Sequence, residues 1–246
     1  MQNQTALITG AAKRIGAEIS RMLHAEGMNI VIHYRSSRDE AQALCNQLNA
    51  LRDDSAIILQ ADLLNVTEIE QLVKQAAAYW GSLNALINNA STFYPTPVGS
   101  ITEHHWDDLL GSNLKAPLFL SQAAAPYLTD SHGNIINIVD VHGFRPMKNH
   151  PVYCAAKAGL AMLTQSLAKE LGPEIRVNGV APGAIMWPEN NMEQDDKLRE
   201  EILDRTALKR QGEPKDIAAT VRFLIRDADY ITGQVIPVCG GRSLNI

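Results

Sequence analysis

Short apolar runs alternate with longer amphipathic stretches from one end of the chain to the other. The apolar runs predict strands at Thr5–Thr9, Asn29–Tyr34, Ala56–Ala61, Ala85–Asn88, Asn134–Val139, Arg176–Val180 and Gln234–Val238. The amphipathic stretches predict helices over 13–27, 37–51, 66–80, 103–128, 151–171 and 214–226. Strands separated by helices are typical of parallel βαβ units, whose sheet is buried on both faces. The pattern therefore predicts one α/β domain over residues 1–246.

One segment departs from this rhythm. Residues 184–207 are acidic and polar, and they follow the carboxyl end of the sixth predicted strand. Ligands of open α/β sheets bind at that edge, so one interpretation is a mobile lid over a binding site. The other is a solvated surface helix, and the sequence favours neither.

Composition and charge exclude several classes of protein. The chain has 246 residues, of which 46% are hydrophobic and 20% charged, as in ordinary globular proteins. A net charge of −5 without a basic run argues against a nucleic acid or an anionic membrane as partner. With a first strand at Thr5 and no apolar stretch of bilayer length, we expect neither a signal peptide nor a membrane span. Cys45, Cys154 and Cys239 lie far apart without C-x-x-C spacing, so we expect a reduced, cytoplasmic protein without a disulfide or metal site.

A glycine-containing turn joins the first strand to the first helix. It runs from Thr9 to Gly16 and includes Gly10, Arg14 and Ile15. Unpaired backbone N–H groups and the positive end of the helix dipole stabilise a pyrophosphate at such a turn. Gly10 allows the tight turn and Gly16 allows close packing of the helix. The turn lacks the full three-glycine fingerprint and is also compatible with a structural role, but its position favours nucleotide binding.

The end of the second strand predicts which dinucleotide binds. A carboxylate there would bind the ribose 2′-hydroxyl of NAD, whereas arginine would accommodate the 2′-phosphate of NADP. The chain has Tyr34, Arg35 and Ser36 at this point, and Arg35 offers a planar, bidentate phosphate ligand. With Arg14 as a second cation, the sequence predicts NADPH.

Two further residues follow the third strand. Asp62 precedes Leu63, and its carboxylate is suited to bind the adenine amino group of the cofactor. An aspartate that caps a helix looks the same in sequence, so both interpretations stay open.

Tyr153 and Lys157 lie four residues apart in a predicted helix, which puts both side chains on one face. An ammonium beside a phenol favours phenolate and lowers the phenol pKa, so the tyrosine becomes a proton donor near neutral pH. Alone the spacing is weak, because a half-buried tyrosine beside a surface lysine has it too.

Further motifs occur in a fixed order along the chain. They are Asn88-Asn89-Ala90 at the fourth strand, Asn113 in the next helix, Pro182-Gly183 after the sixth strand and Thr232-Gly233 before the seventh. With the glycine turn, Tyr153 and Lys157, this set resembles the short-chain dehydrogenase/reductase family over nearly the whole chain. The resemblance implies a Rossmann fold, with a doubly wound seven-stranded parallel sheet, and a hydride moved to or from nicotinamide.

The resemblance also implies roles for individual residues. Tyr153 would be the proton donor, Lys157 would hold the ribose and depress the tyrosine pKa, and Asn113 would support a water-linked proton relay. Further positions implied to contact the cofactor are Asn89, Ala90, Ser91, Pro182 and Gly183.

Asp140 is the informative departure from the family pattern. The family usually has a serine there, at the end of strand five, that donates a hydrogen bond to a substrate carbonyl. An ionised carboxylate cannot donate to a developing alkoxide and would repel it, which argues against a plain ketone or alcohol substrate. It suits a substrate with ring nitrogens or an amino group. The alternative is a solvated loop residue in an impaired enzyme.

Other positions agree with Asp140 and resemble the pteridine reductase branch of the family. Its loop reads T-G-A-A-K-R-x-G, as here, and its catalytic set is Asp, Tyr and Lys. By that resemblance Phe93 and nicotinamide would sandwich a pterin, Ser91 and Tyr153 would contact its edge, and Arg14 would lie near cofactor phosphate and substrate. Phe93 is also compatible with a core position.

The sequence thus predicts an NADPH-dependent pteridine reductase acting on a dihydropterin or dihydrofolate. Two alternatives remain: a short-chain reductase of a carbonyl, such as a 3-oxoacyl thioester or quinone, and a non-catalytic NADP-sensing protein. By resemblance, the helices over 103–128 and 151–171 pair across an interface, which implies a homotetramer; core packing alone is the alternative.

Overall fold

The computed structural model describes residues 1–185 and 196–244 of the chain. The strands in these residues are β1 (Thr5–Ile8), β2 (Asn29–Tyr34), β3 (Ala56–Gln60), β4 (Ala85–Asn88), β5 (Asn134–Ile138), β6 (Arg176–Pro182) and β7 (Val235–Val238). They form one parallel sheet in the order β3-β2-β1-β4-β5-β6-β7. The predicted fold, a doubly wound seven-stranded parallel sheet, is confirmed.

Helices connect the strands. They are α1 (Arg14–Ala25), α2 (Arg38–Leu51), α3 (Val66–Tyr79), α4 (Glu103–Leu110), α5 (Ala116–Asp130), α6 (Pro151–Leu171), α7 (Asp196–Arg205) and α8 (Pro214–Arg226). A π-helical segment, Gly111–Lys115, joins α4 to α5, and 3₁₀ turns lie at Val141–Gly143 and Arg242–Leu244. Among the described residues, no helix is both long and apolar enough to cross a bilayer.

The core lies on both faces of the sheet, because successive strand residues point to opposite faces. Ile8 in β1 packs with residues of α1, α2 and α8 on one face. Its neighbour Leu7 packs with residues of α3 and α5 on the other. Burial on both faces explains why the strands read as continuous apolar runs rather than as alternating ones.

Strand β6 extends past its predicted end at Val180. Ala181 and Pro182 pair with Pro237 and Val238 of β7. This pairing depends on a strand more than fifty residues later, which local sequence does not reveal. It brings the predicted cofactor residues Pro182 and Gly183 to the carboxyl edge of the sheet.

The helix predicted over 103–128 is present, but it is not a regular α-helix throughout. It consists of α4, the π-helical segment and α5, which follow one another directly. π-Helical turns insert one residue per turn and frequently occur at functional sites. The segment stays helical through such a turn, so apolar periodicity predicts a helix there without distinguishing the π-helical part.

The predicted insertion at 184–207 is described only in part. Residues 186–195 lie outside the described residues, and α7 occupies Asp196–Arg205. The lid interpretation therefore stays a prediction.

Candidate active site

A cleft runs along the carboxyl ends of the strands and crosses the point between β1 and β4 where the strand order reverses. Such a switch point is where ligands bind in open α/β sheets. Its volume is about 760 Å³, within the range of small-molecule sites. Every candidate residue predicted from the sequence lines this cleft except Asn113.

The glycine turn forms one end of the cleft. Gly10 has a φ of +58°, which an L side chain rarely adopts, and a Cβ on Gly16 would lie 2.6 Å from both the Asn89 Nδ2 and the Gly10 carbonyl oxygen. Helix α1 begins at Arg14, and the side chain of its N-cap residue, Lys13, makes no capping hydrogen bond. The first backbone N–H groups of a helix without such a cap are suited to bind an anion.

Arg14 also has a positive φ, of 55°. This left-handed conformation costs a non-glycine residue about 1 kcal/mol. Glycine would adopt this conformation without that cost, so the backbone here favours glycine although the residue is arginine. That side chain is exposed at the edge of the cleft.

The strand β4 terminus anchors the glycine turn. Asn89 Nδ2 donates to the carbonyl oxygens of Thr9 at 2.8 Å and Gly10 at 3.1 Å. The Thr9 hydroxyl accepts from the backbone N–H groups of Asn89 and Ala90 at 2.9 and 3.0 Å. These long-range bonds give the Asn-Asn-Ala motif a clear structural role.

The predicted cofactor-selecting residues lie at the mouth of the cleft. Tyr34 is buried at the end of β2, while Arg35 and Ser36 are exposed. Asp62 accepts from the Leu64 N–H at 3.0 Å, so it organises its own turn, but the N-cap of α3 is Asn65. The helix-cap interpretation of Asp62 is therefore wrong.

Asp140 and Tyr153 meet in the centre of the cleft. The Tyr153 hydroxyl donates to Asp140 Oδ2 at 2.8 Å. The other carboxylate oxygen, Oδ1, accepts from the His142 N–H at 2.8 Å and starts the 3₁₀ turn. Both oxygens are thus fixed, and Asp140 is not a freely solvated loop residue.

The pKa of Tyr153 differs from the prediction. Burial raises the pKa of the Tyr153 phenol, and the Asp140 carboxylate raises it further, while the Ser91 hydroxyl acts weakly in the opposite direction. The expected lowering by Lys157 is therefore wrong for this structure. The nearest charge to the phenol is a carboxylate, and a carboxylate disfavours phenolate.

Lys157 lies buried beneath the tyrosine. It is 2% exposed, and its Nζ donates to the Ile138 carbonyl oxygen at 2.9 Å and lies 5.7 Å from the centre of the Tyr153 ring. Burial lowers its pKa to about 8, against the opposing effect of Asp140. The lysine is therefore still mainly a cation at neutral pH.

Asn113 lies beside the cleft rather than in it. It is fully buried in the π-helical segment, where its Nδ2 donates to the carbonyl oxygens of Thr92 at 2.9 Å and Leu109 at 3.0 Å. Its Oδ1 accepts from the Ser91 hydroxyl at 2.6 Å. Asn113 therefore reaches the cleft through Ser91.

Phe93 is not a core residue, because 49% of it is exposed. One face of its ring stacks on His150, with 4.8 Å between centroids and 8° between planes. Its ring also meets the Tyr153 ring in a T-shaped contact at 4.9 Å. Phe93 lines the cleft and His150 does not, so the opposite ring face is the open one.

Two histidines that the sequence did not identify as site residues lie in or beside the cleft. His150 precedes α6 and is only 9% exposed. His33 is 1% exposed and lines the cleft from within β2. The sequence does contain an indication for His33, because a polar histidine is unusual in a strand that is buried on both faces.

Cys239 lies in the turn that directly follows β7. Its sulfur lies 3.3 Å from the Ser243 hydroxyl oxygen. Burial raises the pKa of the Cys239 thiol, but hydrogen bonds from Ser243 and from backbone N–H groups of the turn bring it below its usual value.

Comparisons with known proteins agree with this geometry. The family profile described as Enoyl-(Acyl carrier protein) reductase matches residues 10–243. The 3-oxoacyl-(acyl-carrier-protein) reductase FabG of Staphylococcus epidermidis is 38% identical, over 97% of this chain and 98% of its own. Pteridine reductase 1 of Leishmania tarentolae is 37% identical, over 97% of this chain and 96% of its own. An uncharacterized oxidoreductase of Methylorubrum extorquens is 34% identical, over 98% of both chains.

The profile and these relatives span nearly the whole chain. The protein therefore belongs to the short-chain dehydrogenase/reductase family, whose members are oxidoreductases that use a nicotinamide cofactor.

Proposed function

We propose that the protein is an NADPH-dependent pteridine reductase, which reduces a ring C=N bond of a dihydropterin or dihydrofolate. The observation that carries this proposal is the 2.8 Å hydrogen bond from the Tyr153 hydroxyl to the Asp140 carboxylate.

Asp140 favours a nitrogen heterocycle over a carbonyl substrate. A carboxylate only accepts hydrogen bonds, so it opposes the negative oxygen that develops when a ketone is reduced. The N–H groups of a pterin ring and its exocyclic amine are donors that match a carboxylate acceptor. Because Asp140 is held by both oxygens, its position is fixed before a substrate arrives.

Phe93 supports a flat aromatic substrate. Its ring is fixed by His150 on one face and by Tyr153 at the side, and the open face lines the cleft. Offset stacking on such a face stabilises a planar heterocycle beyond the area that it buries. A flexible acyl chain gains nothing from ring orientation.

The residues at the other end of the cleft fit NADPH. The glycine turn and the uncapped start of α1 would hold the pyrophosphate. Arg35 and Ser36, with Arg14, would hold the 2′-phosphate, since no acid stands at the end of β2 to bind an unmodified ribose. Asp62 would face the adenine.

When bound, the nicotinamide would supply the hydride for the ring carbon. The protein supplies the proton and the orientation. Tyr153 stays protonated around neutral pH because its pKa is raised. Its hydroxyl can therefore donate a proton to the ring nitrogen of the substrate. Asp140 orients the substrate through its N–H groups, and the Lys157 ammonium would bind the ribose hydroxyls. One hydride and one proton complete the reduction of C=N to CH–NH.

A carbonyl reductase is the second candidate, because the FabG relative is as similar as the pteridine reductase. The discriminating experiment measures NADPH oxidation with dihydrobiopterin, dihydrofolate and an acetoacetyl thioester side by side. We expect turnover with the first two only. Preferred turnover of the thioester would refute the proposal, and NADPH binding without any turnover would support the sensing alternative.

The Asp140→Ser variant tests the residue assignment. We expect pteridine reduction to fall by about 100-fold, the usual effect of removing one electrostatic catalytic group. The dissociation constant of NADPH should stay within about twofold, since Asp140 lies at the substrate end of the cleft. Unchanged pteridine turnover would dismiss the role of Asp140. The serine hydroxyl of the same variant can donate a hydrogen bond to a substrate carbonyl, which the Asp140 carboxylate cannot do.

We further propose a homotetramer. Large apolar side chains are exposed on α4, α5 and α6, namely Trp106, Leu118, Tyr127 and Met162. Exposed apolar side chains on these three helices support association with another copy of the chain.

A further inference from the structure

His33 lies where the ends of three strands meet. It belongs to β2 and is 1% exposed. Its Nδ1 accepts a hydrogen bond from the Gly10 N–H at 3.1 Å. Its Nε2 lies 3.1 Å from the Ala61 carbonyl oxygen. One imidazole therefore connects the turn after β1 with the chain that leaves β3.

The two partners define the state of the ring. A backbone N–H only donates and a carbonyl oxygen only accepts, so Nδ1 is the acceptor and Nε2 carries the proton. Burial lowers the pKa of His33 to about 4, although the Ala61 carbonyl and the nearby Asp62 carboxylate act to raise it. The ring is therefore neutral at physiological pH. Protonation would place a hydrogen on Nδ1, which would then face the Gly10 N–H. Two donors would oppose each other, and the hydrogen bond would be lost.

Both ends of this bridge belong to the cofactor cleft. Gly10 has a positive φ, which glycine adopts without strain, and its carbonyl oxygen accepts from Asn89. His33 and Asn89 thus hold the two sides of one turn. Ala61 directly precedes Asp62, which lines the adenine end of the cleft.

We propose that His33 is a positioning residue for the dinucleotide cofactor: as the neutral Nε2–H tautomer, it sets the distance between the pyrophosphate-binding turn at Gly10 and the adenine-binding segment at Ala61–Asp62. The chemical class that it serves is the adenosine diphosphate half of the nicotinamide cofactor. This role of His33 does not depend on which substrate the enzyme reduces.

Three variants separate the two contacts. His33→Phe keeps a flat ring but leaves the Gly10 N–H and the Ala61 carbonyl without partners. His33→Asn places an oxygen acceptor near the position of Nδ1, and His33→Gln places an amide donor near the position of Nε2. Each variant is measured for its NADPH dissociation constant by fluorescence, for its kcat and for its unfolding midpoint without cofactor.

We expect His33→Phe to weaken NADPH binding about tenfold, as for a buried backbone donor without a partner. The kcat at saturating NADPH should change little, because the catalytic groups lie elsewhere. His33→Asn should recover most of the affinity. A lower unfolding midpoint with an unchanged NADPH dissociation constant would mean a purely structural histidine and would overturn the proposal.

The wild-type protein provides a test that does not require a variant to fold. Nitrogen-15 NMR of labelled histidine should show His33 as the Nε2–H tautomer and without titration between pH 5 and 8. The Nε2 proton should exchange slowly with solvent. An Nδ1–H tautomer, or a titration near pH 6.5, would overturn the proposal.

Discussion

At the scale of single residues, the environment of Tyr153 decides its chemistry. Tyr153 is 4% exposed and donates to Asp140, and both burial and the carboxylate raise its pKa. The Tyr153 hydroxyl consequently stays protonated around neutral pH and acts as a hydrogen-bond donor. Lys157, which is also buried, provides the positive charge beneath it.

The pH dependence of the reaction should report Lys157. Its pKa is lowered from 10.5 to about 8, so the cation is present below that pH and is lost as the pH rises through it. The kcat/KM for NADPH describes the free enzyme and should fall about tenfold per pH unit above pH ~8. A rate profile from pH 6 to 10 measures this. In the Lys157→Arg variant the decrease in kcat/KM should lie outside this pH range, because arginine keeps its charge. A wild-type kcat/KM that does not change with pH would contradict the prediction.

His150 should influence substrate affinity through Phe93. Removal of the stacked ring in His150→Ala leaves Phe93 free to turn, and we expect the KM for dihydropterin to rise about two- to tenfold. The KM for NADPH should not change. His150→Phe keeps the stacking and should behave like the wild type. His104→Ala, on an exposed part of α4, is the control. An equal KM in His150→Ala and wild type would show that the stack is not needed.

At the scale of elements, the π-helical segment positions the loop that carries Ser91 and Phe93. Asn113 binds this loop at Ser91 and Thr92 and returns to the helix at Leu109. Ser112 adds a contact between its hydroxyl and that of Thr92 at 2.5 Å. The widened helical turn thus lets two adjacent side chains hold one loop of the cleft.

Asn113→Ala should therefore affect stability and turnover together. It leaves the Thr92 and Leu109 carbonyls without the amide donor, and we expect the free energy of unfolding to fall by about 2 kcal/mol. The kcat should fall several-fold because the Ser91–Phe93 loop loosens. Urea unfolding and steady-state kinetics measure both. Asn46→Ala removes an exposed amide whose partner is Gln42 and is the matched control. Equal unfolding free energies for the two variants would rule out this role.

At the scale of the whole molecule, the strand order places all parts of the site on one edge. Each of the first six strands ends beside the cleft, so residues from Gly10 to Gly183 converge there. The helices packed on the two faces leave this edge open. Apolar side chains on α4, α5 and α6 remain exposed on the outside.

The proposed homotetramer predicts the effect of a charge introduced on the exposed side of α6. Met162 is 63% exposed on α6, and Met162→Arg should weaken the assembly, because a charge buried at an interface without a partner is costly. Light scattering coupled to size exclusion measures the mass. Leu51→Arg, at a residue that is 75% exposed on α2, is the control and should leave the mass unchanged. A wild-type monomer would contradict the proposal.

The sequence by itself determined the strands, most helices, the glycine turn and the order of the family motifs. These depend on neighbouring residues: apolar runs favour strands, and a glycine turn before a helix favours phosphate binding whatever surrounds it. Asp140 was also visible, because it stands where the family has serine.

Only the tertiary structure decided how these residues act. Thirteen positions separate Asp140 from Tyr153, and the fold brings them to 2.8 Å. The pKa of Tyr153 rises because the phenol is buried and lies beside the Asp140 carboxylate, and no local sequence pattern reports burial. The bridge through His33, the π-helical turn at Asn113 and the stack of Phe93 on His150 each join segments that are far apart in the chain. Their energies arise from contacts that exist only once the sheet has formed.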